Sequence, residues 1–169
     1  MRFLPVLLVV LLAGTLPVAA QVGDDKTVVP GVRIGRWTLL TSIPELLRMN
    51  GPASSRPSVA SMLVPAATWY SWDSLGIAAG THDRSYTAYL AVYDGDYAAP
   101  RGVGIRASRN GVLTAYGEPT YEGDLVVQGR TLTLLAYDKI GLAYFLHNDV
   151  VQVFLIFHPG NLAHLIVSC

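Results

Sequence analysis

Apolar and polar positions along this chain change period twice, in the same order each time. Ser42, Ile43, Pro44 and Glu45 have the form of a capping box, in which the serine hydroxyl and the glutamate carboxylate each take up a free amide of a first helical turn. Ile43, Leu46 and Leu47 then fall on one side at helical spacing, and Asn50, Gly51 and Pro52 stop the run. The second series opens at Ser108, continues through Val112, Leu113, Ala115 and Tyr116, and closes at Gly117 and Pro119. Gly111 stands where the first series has glutamate, weakening that helix by up to about 1 kcal/mol relative to alanine. After each helix the period shortens to that of strands, over 69–73, 75–81 and 86–93 and again over 131–137, 141–146 and 150–157, with 125–128 as a further candidate strand. The polar turns His82, Asp83, Arg84 and His147, Asn148, Asp149 are short enough to impose antiparallel hairpins.

The recurrence extends to the residues themselves. The stretch 72–95 lays over 137–160 without a gap at a shift of 65, which sets Asp73 on Asp138, Gly76 on Gly141, His82 on His147 and Leu90 on Leu155. Residues 42–51 lay over 108–117 at a shift of 66. The expected fold class is therefore α+β: two tandem units, about 29–99 and 100–169, each a short helix followed by a three-strand antiparallel meander. Three strands and a helix bury too little surface to be stable alone, so the units are expected to share one sheet and one core, with the helices on one face. The serine- and proline-containing stretch 53–67 reads as an irregular crossing, and 21–28 as a flexible tail ahead of a single domain over 29–169.

The first twenty residues stand apart from this pattern. Met1 and Arg2 form a basic start, 3–16 is almost wholly apolar, and Val18 and Ala20 put small residues three and one positions before Gln21. These are the three regions of a cleavable secretory signal, so residues 1–20 are expected to be removed near Ala20 and the rest to act in the periplasm or outside the cell. Pro5, Gly14 and Pro17 interrupt a run already short for a membrane span, which needs about 20 apolar residues.

Removal of 1–20 takes away one arginine and leaves eleven basic against twelve acidic side chains. That balance offers no basic stripe for nucleic acid. With 51% hydrophobic and 14% charged residues, a well-filled core is expected. The single cysteine, Cys169, excludes an internal disulfide; whether it joins two chains is left open, and with it the oligomeric state.

Ile34 and Gly35 ahead of a short helix that ends in glycine and proline, followed by an aromatic-rich strand and a Gly-Ile strand, give a pattern that resembles the tandem-repeat fold of the β-lactamase inhibitor proteins. It also resembles small outer-membrane assembly lipoprotein domains. The resemblance spans roughly 29–160 and implies helices on one face of a sheet whose other, often aromatic, face is open to a protein partner. The inhibitors carry a disulfide pair that this chain lacks.

Chemistry-bearing motifs are absent: there is no Gly-x-Ser-x-Gly, no Ser-x-x-Lys, no paired Cys and His, and no phosphate- or dinucleotide-binding glycine pattern. His82 and His147 occupy equivalent turns, so no metal site is expected from them, and no cofactor. Asp73 and Asp138 precede a glycine by three residues and read as turn formers that bond their own backbone. Asp94, Gly95 and Asp96 read as a turn for want of a calcium-loop spacing. In the strand from Tyr86, alternation separates Leu90 from Tyr89 and Tyr93. With Leu90 and Leu155 assigned to the helices, Tyr89, Tyr93 and Phe154 are expected on the open face, joined by Trp72, Tyr137 and Tyr144, as an aromatic surface suited to binding.

The expected function is a secreted, non-enzymatic protein-binding module, such as a hydrolase inhibitor or an envelope assembly factor. Two alternatives remain at this point: a carrier of a small apolar ligand between the units, and an enzyme whose dispersed site unites Asp73, His82, Asp138 and His147. The first expectation fails if the aromatic face is covered.

Overall fold

The computed structural model describes residues 25–55 and 58–166. Residues 1–20, the first half of the expected tail (21–24) and Cys169 therefore lie outside the described residues. In chain order the elements are β1 Val28–Val29, β2 Arg33–Ile34, β3 Trp37–Thr38, α1 Ile43–Asn50, α2 Val59–Leu63, β4 Thr68–Trp72, β5 Ile77–Thr81, β6 Tyr89–Val92, β7 Ala98–Ala99, β8 Val103–Gly104, α3 Arg109–Tyr116, β9 Tyr121–Val127, β10 Arg130–Tyr137, β11 Leu142–His147, β12 Val150–Phe157 and α4 Leu162–Ile166. Short 3₁₀ turns at Asp73–Leu75 and Asp138–Ile140 join β4 to β5 and β10 to β11.

The protein is α+β with antiparallel sheets and few, short helices. Its strands form three sheets instead of the single sheet expected: β1-β2-β3, β7-β8, and a seven-stranded sheet ordered β4-β5-β6-β12-β11-β10-β9. The middle of the large sheet is the pair β6 and β12, in which Leu90 faces Ile156 and Tyr89 faces Phe157. The candidate strand at 125–128 is the end of the longer β9, which turns into β10 through Gln128 and Gly129, both at positive φ.

Helix α1 starts where the capping pattern places it. Ser42 Oγ accepts a hydrogen bond from Glu45 N at 3.3 Å, and Ser108 Oγ does the same for Gly111 N at 3.1 Å. The other half of the expected capping box does not form, because the Glu45 carboxylate is held by the Arg48 guanidinium at 2.6 and 2.9 Å. A guanidinium presents two parallel donors to the two carboxylate oxygens, whereas a backbone amide offers one.

Both faces of the large sheet are covered, and here the sequence expectation is corrected. On one side Ile43 and Leu46 of α1 and Val112 and Ala115 of α3 pack on Leu90, Val92, Tyr144, Phe154 and Ile156. On the other, Ala60 and Leu63 of α2 and Leu162 and Leu165 of α4 pack on Tyr89, Ala91, Phe145, Val153 and Phe157. Helix α2 lies inside the stretch that reads as an irregular crossing; its serines and flanking prolines mask a five-residue helix whose Ala60 and Leu63 are fully buried.

The third strands are also related differently from the ungapped overlay. Tyr93 N donates to Gly76 O at 2.9 Å, and Phe157 N donates to Gly141 O at 3.0 Å. Gly76 and Gly141 are 65 apart, but Tyr93 and Phe157 are 64 apart. The difference arises in the hairpins: β11 and β12 are joined by Asn148 and Asp149 alone, while seven residues separate β5 from β6. A one-residue slip reverses the face of every side chain on a strand. Leu155 accordingly lies in the α2/α4 layer opposite to Leu90, and Phe154 lies in the α1/α3 layer opposite to Tyr89.

Candidate functional site

The expected aromatic surface is not assembled. Trp72, Tyr89, Tyr137, Tyr144 and Phe154 are buried, Tyr89 at 2% and Phe154 at 0% exposure, and Tyr93 is half-buried. Tyr93 Oη donates to Asp73 Oδ1 at 2.9 Å, and burial followed by that carboxylate pushes its pKa well above the ordinary phenol value. The physical reason for the correction is the double covering of the sheet, which makes these rings core.

The four residues of the dispersed-site alternative each have a separate local role. The carboxylate of Asp73 holds Tyr93, while that of Asp138 accepts from Gly160 N and Leu162 N, both at 3.0 Å, and so caps the start of α4. The turns themselves are closed by backbone carbonyls of Asp73 and Asp138, which accept from Gly76 N and Gly141 N; the carboxylates were expected to do this. His82 Nε2 and Tyr89 Oη are 3.0 Å apart, and His147 Nδ1 lies 3.0 Å from Thr131 O. His82, His158 and His164 border one small cavity of about 140 Å³, yet no group of three or more metal-ligating side chains is found among the described residues. Asp94 Oδ1 accepts from Gly95 N at 2.7 Å, as a turn aspartate does.

A different feature gathers aromatic and polar groups at the surface. An open cleft of about 890 Å³ is lined by residues from five separated stretches, among them Pro30, Arg101, Tyr116, Tyr137, Lys139 and Ile140. One wall begins at Gly31, whose N–H donates to Gly141 O at 3.2 Å. The approach is so close that a Cβ at Gly31 would lie 2.9 Å from Ile140 O, and this fixes Pro30 beside Ile140. The opposite wall is the end of α3, where the Arg101 guanidinium donates to Ala115 O and Tyr116 Oη donates to Pro100 O at 2.5 Å. Arg101 adopts φ +67°, a conformation rare outside glycine. A cation on the last carbonyls of a helix is favourable because it opposes the negative end of the helix dipole.

The floor is aromatic. Tyr137 Oη donates to Gly117 O at 3.0 Å, and the Tyr116 and Tyr137 rings stand 5.4 Å apart at 50°. Behind them Tyr144 lies 6.0 Å from Tyr116 and 5.8 Å from Phe154, so an unbroken run of rings leads from the cleft into the core. Burial raises the pKa of all three phenols, Tyr137 to about 12, with the Glu118 carboxylate as its next cause. All are neutral at ordinary pH, and Tyr116 and Tyr137 act as hydrogen-bond donors.

Of the expected binding residues, Tyr137 alone lines this cleft. Sequence reasoning missed Pro30, Pro100, Arg101, Lys139 and Pro159 and read Tyr116 only as a helix-face residue. The available signal was compositional: a proline next to each bend at 30, 100, 119 and 159, all close to the glycines that turn the chain.

No family model matches the chain, and no curated protein matches it. Among solved structures, a DUF4309 family protein (YjgB) from Bacillus subtilis is similar over 76% of this chain and 88% of its own, at 12% identity and a TM-score of 0.48. An extracellular protein containing an SCP domain from Bacillus anthracis is similar over 75% of this chain and 46% of its own, at 13% identity and a TM-score of 0.43. Among the described residues no helix is long and apolar enough to cross a membrane.

Proposed function

We propose that this protein is a non-enzymatic binding module that works outside the cytoplasm on a protein partner, as an inhibitor or an assembly factor does. The covering of the sheet rules out the aromatic face first expected to bind, and the tyrosine- and proline-lined cleft takes its place as the binding surface. The observation that carries the reading is the cleft itself, whose rims are pinned by Tyr116, Tyr137 and Arg101 before any ligand arrives. Preformed, rigid aromatic surfaces bind with little ordering cost. The extracytoplasmic setting rests on the signal-like residues 1–20.

We further infer that the two halves are copies of one unit. Matched backbone bonds support this: Leu40 N to Thr87 O and Arg106 N to Val151 O, Thr87 N to Thr41 O and Val151 N to Ala107 O. Trp72 Nε1 donates to Gly51 O much as Tyr137 Oη donates to Gly117 O. In the first half Trp37 packs on Trp72 at 4.8 Å; in the second, the ring against Tyr137 comes from α3 as Tyr116. The cleft thus lies mainly on the second half, where the two copies differ, with Pro30 of the first half closing one wall.

The test is affinity capture from the envelope and culture fluid of the producing cell, with the captured protein identified and its binding repeated with purified components. Ile140, 37% exposed on the cleft rim, is changed to Arg as the control. Binding that is lost in Ile140→Arg supports the reading; binding unaffected by it moves the site elsewhere. The carrier alternative finds in the cleft the volume of small-molecule sites, roughly 300–1,000 Å³, but not the enclosure it calls for, since the cleft is open. Co-purification of a small molecule with the wild type and not with Ile140→Arg would select it.

A further inference from the structure

We propose that Asp94 and Gly95 form a site of self-modification, at which the chain converts its own aspartyl link to an isoaspartyl one through a cyclic imide. The described residues hold three pairs in which an Asp or Asn precedes a glycine: Asn50 and Gly51, Asp94 and Gly95, and Asn110 and Gly111. In each, the glycine nitrogen is the atom that would attack the side-chain carbonyl carbon before it and close a five-membered ring. The fold decides which nitrogen is placed to do so. Gly51 N donates to Leu47 O at 2.9 Å and Gly111 N to Ser108 Oγ at 3.1 Å, so each is turned into the end or the cap of a helix. The Asn50 side chain is held as well, its amide on Leu46 O at 2.8 Å and its oxygen by the Arg36 guanidinium at 2.9 Å.

Gly95 N instead faces the Asp94 carboxylate, 2.7 Å from Oδ1, on exposed chain just past β6. Attack then calls for a turn of the carboxyl group about its bond to Cβ, a broad and soft torsion. Asp94 and Gly95 also border a surface recess of about 180 Å³. The reaction balances with water as the sole other participant. With the carboxyl group neutral, the Gly95 nitrogen lone pair bonds to Asp94 Cγ, the nitrogen gives up its proton, and the Cγ hydroxyl leaves with a proton as water. Water then adds to the imide at the Asp94 backbone carbonyl carbon, and the bond from that carbon to the nitrogen breaks. The nitrogen stays on Cγ, the former main-chain carbonyl becomes a carboxylate, and the backbone is longer by one methylene. The lengthened link falls between Tyr93, whose N–H is bonded to Gly76 O at 2.9 Å, and Asp96, whose carboxylate pairs with Lys26 at 3.2 Å.

The experiment incubates the purified protein in mildly acidic buffer and analyses the tryptic peptide 85–101, which holds Asp94 and Asp96, by electron-transfer fragmentation, a method that separates isoaspartate from aspartate. Free peptides spanning each of the three pairs are incubated beside it, and the asparagines are followed at neutral pH. The expected result is isoaspartate at 94, formed in the folded protein within about threefold of the free-peptide rate, whereas folding slows Asn50 and Asn110 more, by about tenfold. Asp94→Glu, which would need a six-membered ring, should yield no isoaspartate in this peptide. Slowing beyond threefold at Asp94, an asparagine slowed less than Asp94, or isoaspartate persisting in Asp94→Glu overturns the proposal.

Discussion

The hydroxyl of Tyr137, at the end of β10, is tied at 3.0 Å to the carbonyl of Gly117, the residue that ends α3. This bond links the cleft floor to its wall. Tyr137→Phe keeps the ring and removes the link, and is expected to cost about 1 kcal/mol in urea unfolding, the usual net worth of one hydrogen bond. The same phenol predicts an alkaline limit. Its folded pKa of about 12 is raised above the unfolded value of 10, so its contribution is complete below pH 10 and is lost as pH rises toward 12. Stability measured against pH should fall over that window, less steeply in Tyr137→Phe; an identical slope would remove Tyr137 from the account.

Two glycines at positive φ should respond very differently to alanine. Gly129, in the hairpin between β9 and β10, has φ +76° and open space where a methyl would stand, so Gly129→Ala should cost about 1 kcal/mol from backbone strain alone. Gly141 has φ +64°, and a Cβ there would collide with the carbonyl oxygen of Phe157 and come within 2.9 Å of Gly31 Cα. Gly141→Ala should cost several times more and loosen the crossing that sets Pro30 beside Ile140. Comparable unfolding midpoints for the two variants would refute this packing.

Asp25 should titrate far below an ordinary carboxylate, at about 2, held down first by hydrogen bonds from Thr27 and then by the Arg33 guanidinium at 2.6 Å. A depressed folded pKa contributes stability above the unfolded value of 3.8 that disappears as pH falls through about 2. Carbon-detected NMR should show Thr27→Val and Arg33→Gln each moving the Asp25 midpoint upward, and amide protection in 27–34 declining over the same acid range.

The parts of this fold legible in the sequence are those fixed by local chemistry. Ser42 and Ser108 announce their helices because a cap depends on a few adjacent residues. The core strands announce themselves by alternation and by β-branched and aromatic content. The side each ring faces was not legible, since an overlay that runs through hairpins of unequal length puts Tyr89 and Phe154 on one face. Leu142–His147 and Val150–Phe157 are near-continuous apolar runs, as strands covered on both sides are, and that property of the sequence argues against an open face. The cleft was illegible for another reason: it joins Pro30, Arg101, Tyr116 and Lys139, which the packing of Gly31 on Gly141 and the bonds of Arg101 to Ala115 and Tyr116 to Pro100 bring together.

The strand order carries a consequence for how the chain is made. β12, which follows every other strand of the sheet in chain order, occupies the centre of the seven-stranded sheet, between β6 and β11. Until residues 150–157 emerge, everything translated before them is two partial sheets with no contact along that seam. Completion of the sheet is thus postponed until every other strand has been made, and a chain that stops before residue 150 forfeits its keystone.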